Sequence, residues 1–132
     1  MSQFSWGEAP IIFLAMFWGG GGPYTIPQIM WVYDWINRAV PNRDEMESAL
    51  NALLAAGLVQ ETGGKFLLPR GECRKFDAFR KKKRKDRFDV ARLYFRALPR
   101  PVEISRVVRL TANEYKSLYK EYERSFWEEF NK

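Results

Sequence analysis

Arg80, Lys81, Lys82, Lys83, Arg84 and Lys85 form an unbroken run of six cations, and Arg87 follows two residues on. A run this dense suits a partner that repeats its negative charge, as a phosphate backbone does. Between Arg70 and Arg87 stand ten basic and three acidic residues, whereas the whole 132-residue chain carries net +6, so the rest sums to −1. The basic character is therefore local. If the run is helical, its side chains point all round the axis. Four readings fit it: phosphate contact, a solvated helix face, nuclear targeting, or attachment to an anionic membrane surface. Phe76, Phe79 and Phe88 flank the run as candidate anchors.

Little else offers chemistry. The chain has no histidine, which removes the commonest general base and the commonest metal ligand together. Cys73 is the single cysteine, so no internal disulfide is expected. Arg70, Arg74 and Lys75 surround it in sequence and would lower its pKa, but it has no partner for redox or nucleophilic work. Gly19 to Gly22 invites a phosphate-loop reading. The run follows a helix instead of a strand, and no Gly-Lys-Ser/Thr comes after it, so a flexible connection is expected. Glu121, Glu123, Glu128 and Glu129 read as the solvated side of a helix. No nucleophile and base are paired anywhere. The expectation is a non-enzyme without cofactor or metal.

The elements that must position these residues can be read in order. With 46% hydrophobic and 16% aromatic residues, a sizeable core is available. The apolar run Ile11–Trp18 is far short of the roughly 20 residues a membrane span needs, and it lacks the basic flank of a secretory signal. A buried helix from about Glu8 to Trp18 is expected, in a cytoplasmic chain without a membrane span. Two starts compete: Ser5 with Glu8 as a capping box, or Gly7 as cap with Pro10 in the first turn. The second is preferred. The pair Thr25/Gln28 caps a second helix to about Ala39, with Ile26, Ile29, Met30, Tyr33, Ile36 and Val40 on one face. Asn42/Glu45 caps a third, striped by Met46, Ala49, Leu50, Leu53, Leu54 and Leu58, which Gly57 closes. Two short strand-like runs then flank Gly63-Gly64 as a hairpin ending at Pro69.

Three helices and a hairpin, joined through Leu53-Leu54-Ala55-Ala56-Gly57-Leu58-Val59 and returning through Phe66-Leu67-Leu68-Pro69, resemble the winged helix. The second helix is longer than is usual in such domains. The expected fold class is α+β, mainly helical. Residues 1–69 form the winged helix, three helices plus a β-hairpin wing. Residues 70–132 add a helix–strand–helix extension: a basic helical segment, a short strand and an amphipathic terminal helix packed on the first domain or on a dimer partner.

In that extension, Glu72 to about Ala97 reads as helix, with a break near Lys85-Asp86 where Asp86 could cap a new turn. Pro99 and Pro101 interrupt it. Val102, Ile104, Val108 and Leu110 alternate as in a strand from Val102 to Leu110. Thr111/Glu114 caps a terminal helix striped by Tyr115, Leu118, Tyr119, Tyr122, Phe126 and Phe130. That stripe suits core packing, and the likeness to dimeric winged-helix regulators equally suits a homodimer interface formed by Tyr115, Tyr119, Tyr122 and Phe126.

The resemblance implies a small DNA-binding protein, of transcription-regulator type, that meets double-stranded DNA. The third helix would lie in the major groove, where Arg43 could read guanine and Asn51 adenine. Lys65 on the wing, with Arg80, Lys81, Lys82, Lys83, Arg84, Lys85 and Arg87, would meet phosphates. Asp44, Glu45 and Glu47 oppose that role for the third helix. They support the alternative, a protein-interaction module that keeps the fold without DNA contact.

Overall fold

The computed structural model describes residues 4–130. Its helices are α1 (Ala9–Trp18), α2 (Ile26–Asn37), α3 (Arg43–Ala55), α4 (Arg70–Lys81), α5 (Arg87–Arg96) and α6 (Ala112–Phe130), and its strands are β1 (Gln60–Thr62) and β2 (Lys65–Leu67). It is a mainly helical α+β structure with one small antiparallel sheet.

Helix α1 is apolar on every side because it is covered on every side. Ile12, Phe13, Leu14, Ala15 and Met16 are all at most 1% exposed, and α2, α3 and α5 pack round it. Its cap is Glu8 rather than either expected residue, with Pro10 in the first turn. Phe13 lies edge-on to Phe76 at 5.4 Å and to Phe95 at 5.3 Å between ring centres, a favoured aromatic geometry. The two halves of the sequence therefore share one core.

The caps form as spaced. Thr25 and Gln28, then Asn42 and Glu45, exchange both reciprocal bonds. So do Thr111 and Glu114. At the end of α3 the amide of Gly57 donates to Leu54 O and that of Leu58 to Leu53 O, with Gly57 at φ +73°, a Schellman closure. Gly63 and Gly64, both at positive φ, turn the hairpin between Thr62 and Lys65, which are paired. Asp86 accepts from the amide of Phe88 at 2.9 Å and starts α5. Helix α2 stops at Asn37, two residues before the expected end, where Arg38 takes a left-handed turn.

The four glycines do more than connect. The amide of Gly21 donates to Met16 O at 2.8 Å, and its carbonyl accepts from Leu68 at 2.9 Å. Tyr24 then exchanges two backbone bonds with Phe66, at 2.8 and 2.7 Å. At Gly22 (φ +94°) a Cβ would come within 2.7 Å of Phe66 O. The glycine run is thus the joint that lets the chain between α1 and α2 pair with the hairpin.

The strand expected over Val102–Leu110 does not form. Its residues alternate as in a strand, but no ladder partner lies beside them among the described residues. Side chains of α3 hold its backbone instead, as described below.

Candidate nucleic-acid interface

The basic residues straddle the end of α4 and the loop into α5. Arg80 and Lys81 lie in the last turn of α4, where cations complement the helix dipole. Both pair with one carboxylate, which offsets one of their two charges: Asp77 meets Arg80 at 2.7 Å and Lys81 at 3.0 Å. Lys81 above all, with Arg80, holds the Asp77 carboxyl below its usual range. The Arg80 guanidinium also lies over Phe17 and Trp18, 5.4 and 5.0 Å from the ring centres, while its Nε is buried without a hydrogen-bond partner.

Lys82, Lys83, Arg84 and Lys85, beyond α4, are all exposed, and among the described residues none makes an ion pair. Lys83 lies over Phe79 at 5.2 Å. Arg87 donates to Ile36 O at 3.4 Å and sits over Phe88; of the three expected anchors, Phe79 meets the run through Lys83, Phe88 meets Arg87 just beyond it, and Phe76 is buried in the core. The loop is not helical, so its cations are not spread evenly round an axis.

The third helix presents a different picture. Arg43, Glu47 and Asn51 are spaced four apart and form one stripe along α3, and residues 106–110 lie across it. The Asn51 amide donates to Val108 O at 2.9 Å and accepts from Val108 N at 2.7 Å. One Glu47 oxygen accepts from Leu110 N and the other from the Arg106 guanidinium, both at 2.7 Å. Arg43 donates to Leu110 O at 2.9 Å and also meets Asp44 at 2.5 Å. Asn51 is only 4% exposed and Glu47 only 8%. The backbone amide of Leu110 and then Arg106 keep the Glu47 carboxyl below its usual range. The expected base readers Arg43 and Asn51 are thus engaged within the chain.

Lys65 on the hairpin is exposed and stands apart from the basic loop in sequence. Glu61 beside it braces the turn, accepting from the Gly64 amide at 2.8 Å. Burial, and then Glu72, push the Cys73 thiol up rather than down, against the expectation from its cationic neighbours in sequence. Among the described residues no three His, Cys, Asp or Glu side chains gather to hold a metal, and no helix is long and apolar enough to cross a membrane.

The tyrosines expected at an interface between copies face their own chain. Helix α6 packs on α2. Tyr122 is buried and donates to Asp34 at 2.7 Å, and the Tyr115 hydroxyl donates to Pro41 O. Tyr119 is half-buried between them in sequence. The Phe126 and Phe130 side chains lie outside the described residues.

Sequence reasoning weighed Glu47 only as a charge opposing DNA contact, and gave Arg106 and Trp18 no functional role. The four-residue spacing of Arg43, Glu47 and Asn51, beside the apolar stripe, was the available signal for the first. Comparison with protein-family models, with curated proteins and with solved structures finds no match for this chain.

Proposed function

We propose that this protein is a non-enzymatic module of winged-helix type that binds nucleic acid through its phosphates, at the loop Lys82–Lys85 and Arg87, and does not read bases through α3. The order α1, paired Tyr24, α2, α3 and hairpin supports the fold part of this reading. The observation that carries the function is the set of four consecutive exposed cations without a carboxylate partner. Cations that share a carboxylate would release fewer counterions on binding DNA; unpaired ones release about one each. The expected base readers, in contrast, are committed to residues 106–110.

Binding titrations on duplex DNA at several salt concentrations test the reading. Four phosphate contacts give a slope of log affinity against log salt of about −3 to −4. Replacing Lys82, Lys83, Arg84 and Lys85 with Gln removes most of that slope and weakens all duplex sequences about equally, since phosphates carry no base identity. Arg43→Ala leaves base preference unchanged.

A second reading has its own observation. Asn51 and Glu47 hold the backbone at Val108 and Leu110 much as a protein partner holds a peptide, which suits an interaction module. Absence of duplex affinity at low salt would make that reading the better one.

A further inference from the structure

A cavity of about 170 Å³ opens between the end of α1, α4, the basic loop and the start of α5. Its floor is apolar: Leu14, Phe76 and Val90 are each at most 3% exposed. Trp18, 43% exposed, forms one wall with the Arg80 guanidinium against it. The exposed side chains of Lys83, Lys85 and Arg87 ring the opening.

We infer that this cavity receives a single unpaired pyrimidine base of a single-stranded nucleic acid, while Lys83, Lys85 and Arg87 hold the adjoining phosphates. The inference rests on the phosphate-binding reading above and adds a ring to it. Size sets the limit: about 150 Å³ is enough for one benzene ring, so one six-membered ring fits and a drug-sized ligand of roughly 300–1,000 Å³ does not. Chemistry sets the rest. A purely inorganic anion would gain nothing from Leu14, Phe76 and Val90, and a purely apolar ligand would gain nothing from the cations. A nucleotide joins a flat ring to a phosphate, and so has a part for the apolar floor and a part for the cationic rim. An aromatic wall inside a basic groove is also how single strands are held without a fixed sequence. In an intact duplex every base is stacked and paired, so it reaches the cavity only after extrusion, which costs a few kcal/mol.

The test varies the ligand and leaves the protein intact. Fluorescence anisotropy compares a labelled oligothymidylate with an abasic strand of equal length and charge, at one low salt concentration. The thymine strand binds the wild-type protein about 5- to 100-fold more tightly, the range for stacking one base. Equal affinity for the two strands overturns the inference and leaves the phosphate reading standing. Binding of neither strand, nor of duplex, overturns both. Trp18→Ala narrows the ratio between the strands to below about threefold, with helical circular dichroism retained. A ratio that stays at its wild-type value in that variant also counts against the cavity.

Discussion

Arg43 and Arg84 are the same residue type in two segments that the sequence offers equally to nucleic acid, and their surroundings make them opposites. Arg43 is shared among Leu110 O, Asp44 and Glu47. Arg84 stands in an exposed loop with no ion pair. The same contrast runs through their neighbours. On α3 the polar side chains are paired with a stretch of their own chain in which Val108 and Leu110 are buried, so their bonding capacity is already used. At the end of α4 one carboxylate serves Arg80 and Lys81, and the cations of the loop after them are left to solvent. A charged residue is available to a partner only where the fold has not already engaged it.

The largest expected effect falls on the core side of α3. Leu53 is fully buried and Leu54 is half-buried. Leu53→Ala lowers stability by about 2–5 kcal/mol, the range for a buried leucine lost with its cavity, and Leu54→Ala lowers it by less. Chemical denaturation measures both. Equal, small losses would mean that α3 is not anchored as described, and the contrast between its two faces would go with it.

On the other face, Asn51→Ala leaves the amide and carbonyl of Val108 without partners. An unsatisfied buried group costs about 1–3 kcal/mol, so residues 106–110 lift from α3 and the Val108 amide exchanges faster with solvent. Unchanged exchange at Val108 would show that the segment is held by something other than this clamp, and would reopen the α3 face as a candidate for base reading.

These two faces were not equally legible. Periodicity located the core stripe of α3, and the cap pairs Thr25/Gln28, Asn42/Glu45 and Thr111/Glu114 could be read because capping is local, with both partners three residues apart. The Gly63-Gly64 hairpin is local in the same way. The 102–110 segment was read as a strand because alternation signals extended backbone without saying what satisfies it. Its partners are 57 and 63 residues away in sequence, and side chains replace the ladder that alternation implies. The cavity depends on α1, α4, the basic loop and α5 meeting round one floor, and no single window of sequence contains that. The free charge of Lys82–Lys85 was visible in composition, but its freedom from carboxylates was not.

Acid and alkali separate two of the contacts made by the extension. Glu47 has a lowered folded pKa, from the Leu110 amide first and Arg106 second. Its contribution is full above the unfolded carboxylate value of about 4.3 and is lost as pH falls through the lower folded value. Tyr122 is shifted upward by burial and by its bond to Asp34. Its contribution is full below about pH 10 and is lost as pH rises through the raised folded value. Acid therefore loosens residues 106–110 from α3, whereas strong alkali loosens α6 from α2. Tyr122→Phe, which removes one hydrogen bond, lowers stability by about 0.5–1.5 kcal/mol and removes part of the alkaline loss. Amide exchange followed at both pH extremes reads the two segments separately, and loss of both at the same extreme would contradict the assignment.

The smallest expected change in stability belongs to the basic loop, and it sharpens the contrast most. Replacing Lys82, Lys83, Arg84 and Lys85 with Gln removes four exposed charges from a segment without ion pairs. Exposed substitutions of this kind stay within about 0.5 kcal/mol, and relief of like-charge repulsion within the loop offsets any lost packing of Lys83 on Phe79. The unfolding midpoint should therefore stay close to wild type while the salt slope of duplex binding flattens. Charges held in reserve for a partner can be removed without harm to the fold; charges built into it cannot. A stability loss above about 1 kcal/mol would put these cations in the second group with Arg43, and their exposure would no longer support a phosphate-binding role. Adding Asp77→Asn tests the boundary between the groups. It frees Arg80 and Lys81 from their shared carboxylate and should make the wild-type salt slope steeper by up to about 0.9 per newly available cation.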